Sequence, residues 1–132
     1  IMTIEISNGE LIDKLTILEI KLEKVSENKQ FHKKKTTNIL NEWKILNEKV
    51  NLLFSIHSSQ ELFKAQNDLQ EINKQLWWVE DNIRENEKLG IFDKEFVELA
   101  RSVYKLNDKR FKLKNKINKL TQSELREEKL YS

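Results

Sequence analysis

Leucine, isoleucine and valine return along this chain at alternating steps of three and four residues. This spacing places apolar side chains on one face of a helix and polar side chains on the other. Four such stripes predict four helices, each with a seam that must be buried. The stripes are Leu11, Leu15, Leu18, Leu22 and Val25; Ile39, Trp43, Leu46, Val50 and Leu53; Leu62, Ala65, Leu69, Ile72, Leu76, Val79 and Ile83; and Phe96, Leu99, Val103, Leu106, Leu113, Ile117 and Leu120.

Residues that cap helices stand at the ends of these stripes. A serine or threonine followed three residues later by glutamate forms a capping box, in which each side chain binds a backbone N–H group. Gly90 is suited to end the third helix, and Asp93 to begin the fourth. The boxes are Ser7 with Glu10, Ser58 with Glu61, and Thr121 with Glu124, the last before a charged tail.

The boundary between the first two helices has two interpretations. Val25 and Ile39 are separated by two whole heptads, so one coiled-coil helix from Asn8 to about Ile56 would keep both stripes in phase. The polar residues 26–28 favour a break instead, because they can cap a new helix. The single long helix would favour an elongated dimer.

Length and composition set the fold class and the compartment. We predict an all-α, up-down antiparallel bundle of about four long helices, forming one domain over residues 1–132 with 121–132 as a short terminal turn or tail. Two glycines and no proline agree with long helices. Without cysteine there is no disulfide or cysteine-ligated metal, which fits a reducing compartment. No run is apolar enough to span a bilayer, so we expect cytoplasmic localisation and no membrane partner.

The charge is unevenly distributed, although the net charge is only +2. Residues 101–120 carry eight Lys or Arg and one Asp, whereas residues 71–100 carry eight Asp or Glu and four Lys or Arg. An up-down arrangement would place 109–119 beside acidic residues of the other helices, and Lys33–Lys35 beside the acidic stretch 80–98. Because opposite charges would meet inside the molecule, we disfavour nucleic acid as a partner.

Few residues match known catalytic patterns. Gly9 and Gly90 cannot form a phosphate-binding glycine loop, and His32 and His57 lack companions for a metal site or a catalytic triad. Pairs such as Glu80 with Asp81 could bind Mg²⁺. Glu95–Glu98 and Glu10–Asp13 formally match the E-x-x-E and E-x-x-D pairs of all-helical nucleotide pyrophosphohydrolases, in reverse order. Acidic residues are so numerous that we favour a solvated face and predict no metal site and no cofactor; Mg²⁺ enters only if the chain is an enzyme.

Arg110 stands on the core stripe of the fourth helix, between Leu106 and Leu113. A charge in that position needs a buried acidic partner or a bound anion. The first possibility gives an internal salt-bridge network, which we favour. The second gives a polar pocket between helices three and four.

Adjacent tryptophans mark the third helix. Trp77 and Trp78 point about 100° apart, so only one of them can be central. Because Leu76 and Val79 define the core face, Trp78 is the better candidate for a second interface.

Three stretches of the chain, 9–21, 76–84 and 99–110, together with 127–131, carry a resemblance that covers most of its length. They resemble a family of short uncharacterised bacterial and phage helical proteins, which has no known activity. By this resemblance the family's polar motif positions, which we take as candidate ligand-binding residues, are Glu10, Asp13, Lys14, Glu80, Asp81, Arg84, Arg101, Tyr104, Asn107, Asp108 and Arg110.

Two functions remain open. The first is a non-enzymatic interaction module that self-associates through its long helices as a homodimer. The alternative is an enzyme or small-ligand binder for an anionic nucleotide or sugar phosphate, using the polar cluster between helices three and four. The sequence identifies no catalytic residue.

Overall fold

The computed structural model describes residues 1–27 and 33–130. Within these ranges the chain forms four α-helices and no strand, which confirms the all-α prediction. The helices are α1 (Asn8–Glu27), α2 (Lys33–His57), α3 (Gln60–Leu89) and α4 (Lys94–Leu120).

Most predicted helix ends are confirmed by their hydrogen bonds. The Ser7 hydroxyl accepts from the Glu10 backbone N–H at 3.1 Å, and Asp93 accepts from Phe96 at 3.0 Å. Gly90 ends α3 in the left-handed conformation, with φ of 66°, where a side chain would be strained.

The cap of α3 was predicted one residue too early. Ser59, not Ser58, caps this helix, and its hydroxyl accepts from the Leu62 N–H at 3.1 Å. Ser59 has extended backbone angles, which direct its side chain at the free N–H groups of the first turn. Two neighbouring serines gave the sequence pattern two candidate caps.

The single long helix from 8 to 56 does not form. Ile12 of α1 and Val50 of α2 belong to one buried cluster, whereas a continuous helix would hold them about 57 Å apart. α1 and α2 are therefore separate helices, and His32, considered above for a metal site or a catalytic triad, lies outside the described residues.

The core has two parts along the α3–α4 pair. The larger part joins all four helices and is built around Ile12, Val50, Leu62, Leu69 and Ile117. The smaller part joins only α3 and α4, through Leu76, Val79 and Leu106. Each fully buried aliphatic side chain contributes about 1.5–3 kcal/mol of transfer free energy, so both parts hold α3 and α4 together.

The helices do not cover α3 and α4 equally. α1 packs on both of them, while α2 packs mainly on α1. Trp78 of α3 is consequently 62% exposed, as its predicted position off the core face requires, whereas Trp77 is half-buried.

Residues 121–130, which follow α4, form a strap instead of a capped helical turn. Gln122 adopts a positive φ, and the Ser123 hydroxyl accepts from the Asn8 backbone N–H at 3.1 Å. Farther along, Lys129 pairs with Asp108 at 3.5 Å and lies over the ring of Phe111. The strap thereby ties the C-terminal segment to the start of α1 and to α4.

None of the helices in the described ranges combines the length and apolar character that crossing a bilayer requires.

Candidate functional site

Asp13 is the centre of the polar cluster, although it stands on a helix face that is otherwise apolar. Its side chain is fully buried between Ile12 and the facing helices. Arg110 of α4 donates from Nε to one Asp13 oxygen at 2.9 Å and from Nη2 to the other. This two-pronged pairing matches the guanidinium fork to the carboxylate and is the strongest geometry available to an ion pair.

Neutral side chains supply the other hydrogen bonds around Asp13. The Asn73 amide of α3 donates to Asp13 Oδ1 at 2.9 Å and to the Thr16 hydroxyl at 2.8 Å. The Thr16 hydroxyl in turn donates to the Asp13 backbone carbonyl at 2.7 Å. The buried carboxylate therefore has partners from two other helices, α3 and α4, which offsets the cost of removing it from water.

Arg110 is held in its charged form by this arrangement. Its hydrogen bond to Asp13 raises the pKa of Arg110 above the usual value; burial opposes this rise, and the negative charge of Asp13 adds to it. Asn107 accepts a long hydrogen bond, 3.4 Å, from Arg110 Nη1. Since the guanidinium charge is already neutralised by Asp13, Arg110 is poorly placed to bind a second anion.

Lys114 forms a second ionic centre one turn further along α4. Its side chain is 8% exposed, and its ammonium lies 2.7 Å from Glu10 and 2.8 Å from Glu127 of the strap. Burial by itself would lower the pKa of Lys114, but its hydrogen bonds to Glu10 and Glu127 outweigh burial and raise it. Lys14 lies 3.7 Å from Glu10 at the solvent edge of this centre.

Gly9 allows α1 and α4 to approach closely enough for these pairs to form. Its backbone N–H donates to the buried side chain of Asn118 at 2.6 Å. A Cβ at this position would lie 2.3 Å from the Lys114 backbone oxygen, too close for any side chain. The missing side chain of Gly9 thus sets the distance between the two helices.

A cavity of about 330 Å³ lies beside the Asp13–Arg110 pair, between α1, α3 and α4. Its apolar walls include Ile17, Ile20 and Leu76. Its polar walls include Trp77, Glu80, Asp81, Arg84, Asn107 and Arg110. Arg110 is already paired with Asp13, and the two carboxylates Glu80 and Asp81 outnumber the remaining cation, Arg84, so the charge of this cavity does not favour an anion.

The structure brings most of the candidate residues together, but not all of them. Asp13, Asn107 and Arg110 form the hydrogen-bonded cluster, Glu80, Asp81 and Arg84 line its cavity, and Glu10 and Lys14 belong to the adjoining Lys114 centre. Arg101 and Tyr104 do not join them, because both are exposed side chains that do not line the cavity. Asp108 is engaged by Lys129 of the strap instead.

Sequence reasoning assigned no role to four residues that build the cluster: Thr16, Asn73, Asn118 and Glu127. Asn73 carried a recognisable signal, since it stands four residues after Leu69 beside the core stripe of α3. Glu127 carried only the resemblance of the stretch 127–131, because a glutamate in a charged tail otherwise looks like solvated surface.

The two acidic pairs that match the pyrophosphohydrolase patterns, Glu95–Glu98 and Glu10–Asp13, are separated in space. Arg110, and with it Asp13, lies about 18 Å along α4 from Glu98. In the described parts of the chain, no group of three or more acidic or histidine side chains is placed to hold a metal ion.

The opposite side of the α3–α4 pair carries an open groove of about 960 Å³. Only residues of α3 and α4 line it, so neither α1 nor α2 closes it. Trp78 lies in this groove next to the buried Val79 and Leu106. Charged side chains of α4 border it: Glu95, Glu98, Lys105 and Lys109.

Comparison with protein families gives a match over almost the whole chain. Residues 2–132 match the model of a family described as "Family of unknown function (DUF6165)". The chain belongs to this family. Neither the curated proteins nor the solved structures that were compared with the chain contain a match. Membership in DUF6165 confirms the predicted resemblance to an uncharacterised helical family, and it assigns no activity to the cluster or to the groove.

Proposed function

We propose that this DUF6165 protein is a non-enzymatic interaction module that self-associates through its long helices. The observation that carries the proposal is the open groove on α3 and α4, where Trp78 is 62% exposed. Tryptophan is enriched at the centres of protein interfaces, because burying its large ring against a partner is strongly favourable.

The Asp13–Arg110 cluster supports this function by fixing α3 and α4 relative to each other and to α1. It links α1, α3 and α4 through bonds that need exact geometry, and it lies on the side of α3 and α4 away from the groove. An interface built on rigid helices loses little conformational freedom on binding. In this proposal the cluster is a structural element and binds no substrate.

The anionic-ligand alternative is less well supported. An anion at Arg110 would have to displace Asp13, which is fully buried and would then lose its counter-charge. At Lys114 it would have to displace Glu10 or Glu127. Nucleic acid is a less well supported partner than a small anion, because the basic residues Arg110 and Lys114 are paired within the molecule.

The proposed module acts in the cytoplasm, a placement supported by the absence of cysteine from a chain of 132 residues.

Light scattering coupled to size-exclusion chromatography tests self-association. We expect a mass near twice the 15.9 kDa of the chain at tens of micromolar, decreasing toward the monomer on dilution. Trp78→Ser should shift this equilibrium toward monomer. Leu52→Ser is a matched control, because Leu52 is similarly exposed, 57%, on α2. A monomer mass at every concentration would refute the proposal.

A further inference from the structure

We infer that the groove binds the same groove of a second copy of this chain, with the two α4 helices antiparallel and a two-fold axis near Ser102. This inference rests on the proposed self-association and specifies its geometry. A closed pair related by a two-fold axis requires a surface that is complementary to itself.

The charges that α4 places along the groove have this self-complementarity. Glu95 and Lys109 each lie seven residues from Ser102, on opposite sides of it, while Glu98 and Lys105 lie four and three residues away. All four side chains are exposed, and all four line the groove together with Ser102. The α4 face is therefore acidic toward the α3–α4 turn and basic toward its other end.

Turning one copy end over end about Ser102 brings unlike charges together. Glu95 then faces the partner's Lys109, and Glu98 faces the partner's Lys105, at about 10 Å and 5 Å from the axis along the helix. The symmetry repeats both contacts, which gives four opposite-charge contacts. A parallel arrangement would place each charged side chain against the same residue of the second copy, and these like charges would repel.

The middle of the same face supplies the apolar contact. Trp78 lies within about one helical turn of the level of Ser102, because α3 and α4 are antiparallel around the turn at Gly90. Ser102 has a small side chain whose hydroxyl donates to the Leu99 carbonyl in its own helix. The centre of the face therefore carries a protruding ring beside a small residue, and the rotation that brings Ser102 against its own copy also brings Trp78 against the partner's Trp78.

The face is large enough for a specific dimer. Together with the adjoining surface of α3 and α4 up to Asp68, the face is about 27 Å long from Asp68 to Asn86. Two helices make it about 20 Å wide, so its flat projection is about 540 Å². The accessible surface of packed helices exceeds its projection. The area thus approaches the ~800 Å² that each partner buries in a standard interface.

Reciprocal charge reversal tests this geometry. One variant carries Glu95→Lys and Glu98→Lys, and the other carries Lys105→Glu and Lys109→Glu. Each alone should place like charges across the interface and weaken dimerisation about tenfold or more at low salt. An equimolar mixture should recover the wild-type dimer affinity, because every contact in the mixed dimer again joins unlike charges.

The control variant carries Arg101→Glu and Lys116→Glu. It changes the net charge by the same amount as the Lys105/Lys109 variant, at two exposed α4 positions outside the groove. We expect it to dimerise like the wild type. Circular dichroism melts of every variant establish that lost dimer is not lost folding.

A disulfide test is independent of charge. The wild-type chain has no cysteine, so Ser102→Cys introduces one thiol near the proposed axis, and mild oxidation should convert it to a covalent dimer. Ser55→Cys is the control, since Ser55 is an exposed α2 serine with the same kind of hydroxyl-to-carbonyl bond. We expect it to cross-link at least several-fold more slowly.

The outcomes separate the two proposals. A monomeric wild-type chain refutes self-association itself. A dimeric wild type whose mixed reversal variants fail to pair, or whose Ser55→Cys variant cross-links as fast as Ser102→Cys, refutes the antiparallel groove geometry and leaves self-association standing.

Discussion

The Asp13–Arg110 pair predicts an asymmetry between its two partners. Arg110→Met leaves the Asp13 carboxylate, whose side chain is 0% exposed, without a counter-charge. Removing one partner of a buried ion pair costs about 3–5 kcal/mol. Asp13→Asn leaves Arg110 instead, whose side chain is 28% exposed and can reach water, and we expect a loss of only about 1.5–3 kcal/mol.

These losses are a large share of the ~5–15 kcal/mol that stabilises a typical domain. At about 3–5 °C per kcal/mol for a chain of this length, Arg110→Met should lower the Tm by roughly 9–25 °C and Asp13→Asn by roughly 5–15 °C. Urea titration and thermal melts followed by circular dichroism, at one fixed protein concentration, measure both. Lys116→Met is the control for removing a charge from an exposed position on α4.

The difference between the two variants checks the cause. If Asp13→Asn destabilises the chain as much as Arg110→Met, then burial of the Asp13 charge is not what makes the pair necessary.

Three further predictions concern packing, pH and ligands. Gly9→Ala should lower the free energy of unfolding by about 1–3 kcal/mol, because its Cβ meets the Lys114 backbone. The Cβ of Gly90→Ala meets no atom within 4 Å, so this variant should lose only the ~1 kcal/mol of its left-handed conformation. Equal losses of the two variants in urea titrations would contradict this difference. The pKa of Glu19 is raised, first by burial and second by the charge of Glu23. The ionised Glu19 side chain therefore opposes folding at pH values above the raised pKa. This opposition disappears as the pH falls below the ordinary pKa of 4.5. Glu19→Gln should accordingly melt higher than the wild type at neutral pH and equal to it near pH 4, and a difference that grows in acid would reverse the argument. Nucleotides, sugar phosphates and Mg²⁺ should leave the Tm unchanged, since the cations of the cluster are already paired; a shift abolished by Arg110→Ala would instead establish the ligand-binding alternative.

The helices and most of their ends follow from the sequence by itself. The three-and-four spacing of apolar residues and the side chains of Ser7 and Asp93 act within a few residues of one another, so local physics determines them. The error at Ser59 has the same local character, since a neighbouring serine offers the same cap. The position of Arg110 on a core stripe likewise showed that it needs a partner or a ligand.

Only the tertiary structure decided which partner Arg110 has and which face stays open. Asp13 is 97 residues away, and its other ligand, Asn73, comes from a third helix. Which residues meet across helices depends on how closely the helices approach, here set by Gly9, and on where α2 packs. Because α2 lies mainly on α1, the chain's own helices leave the Trp78 side of α3 and α4 uncovered, and no periodicity along the chain contains that information.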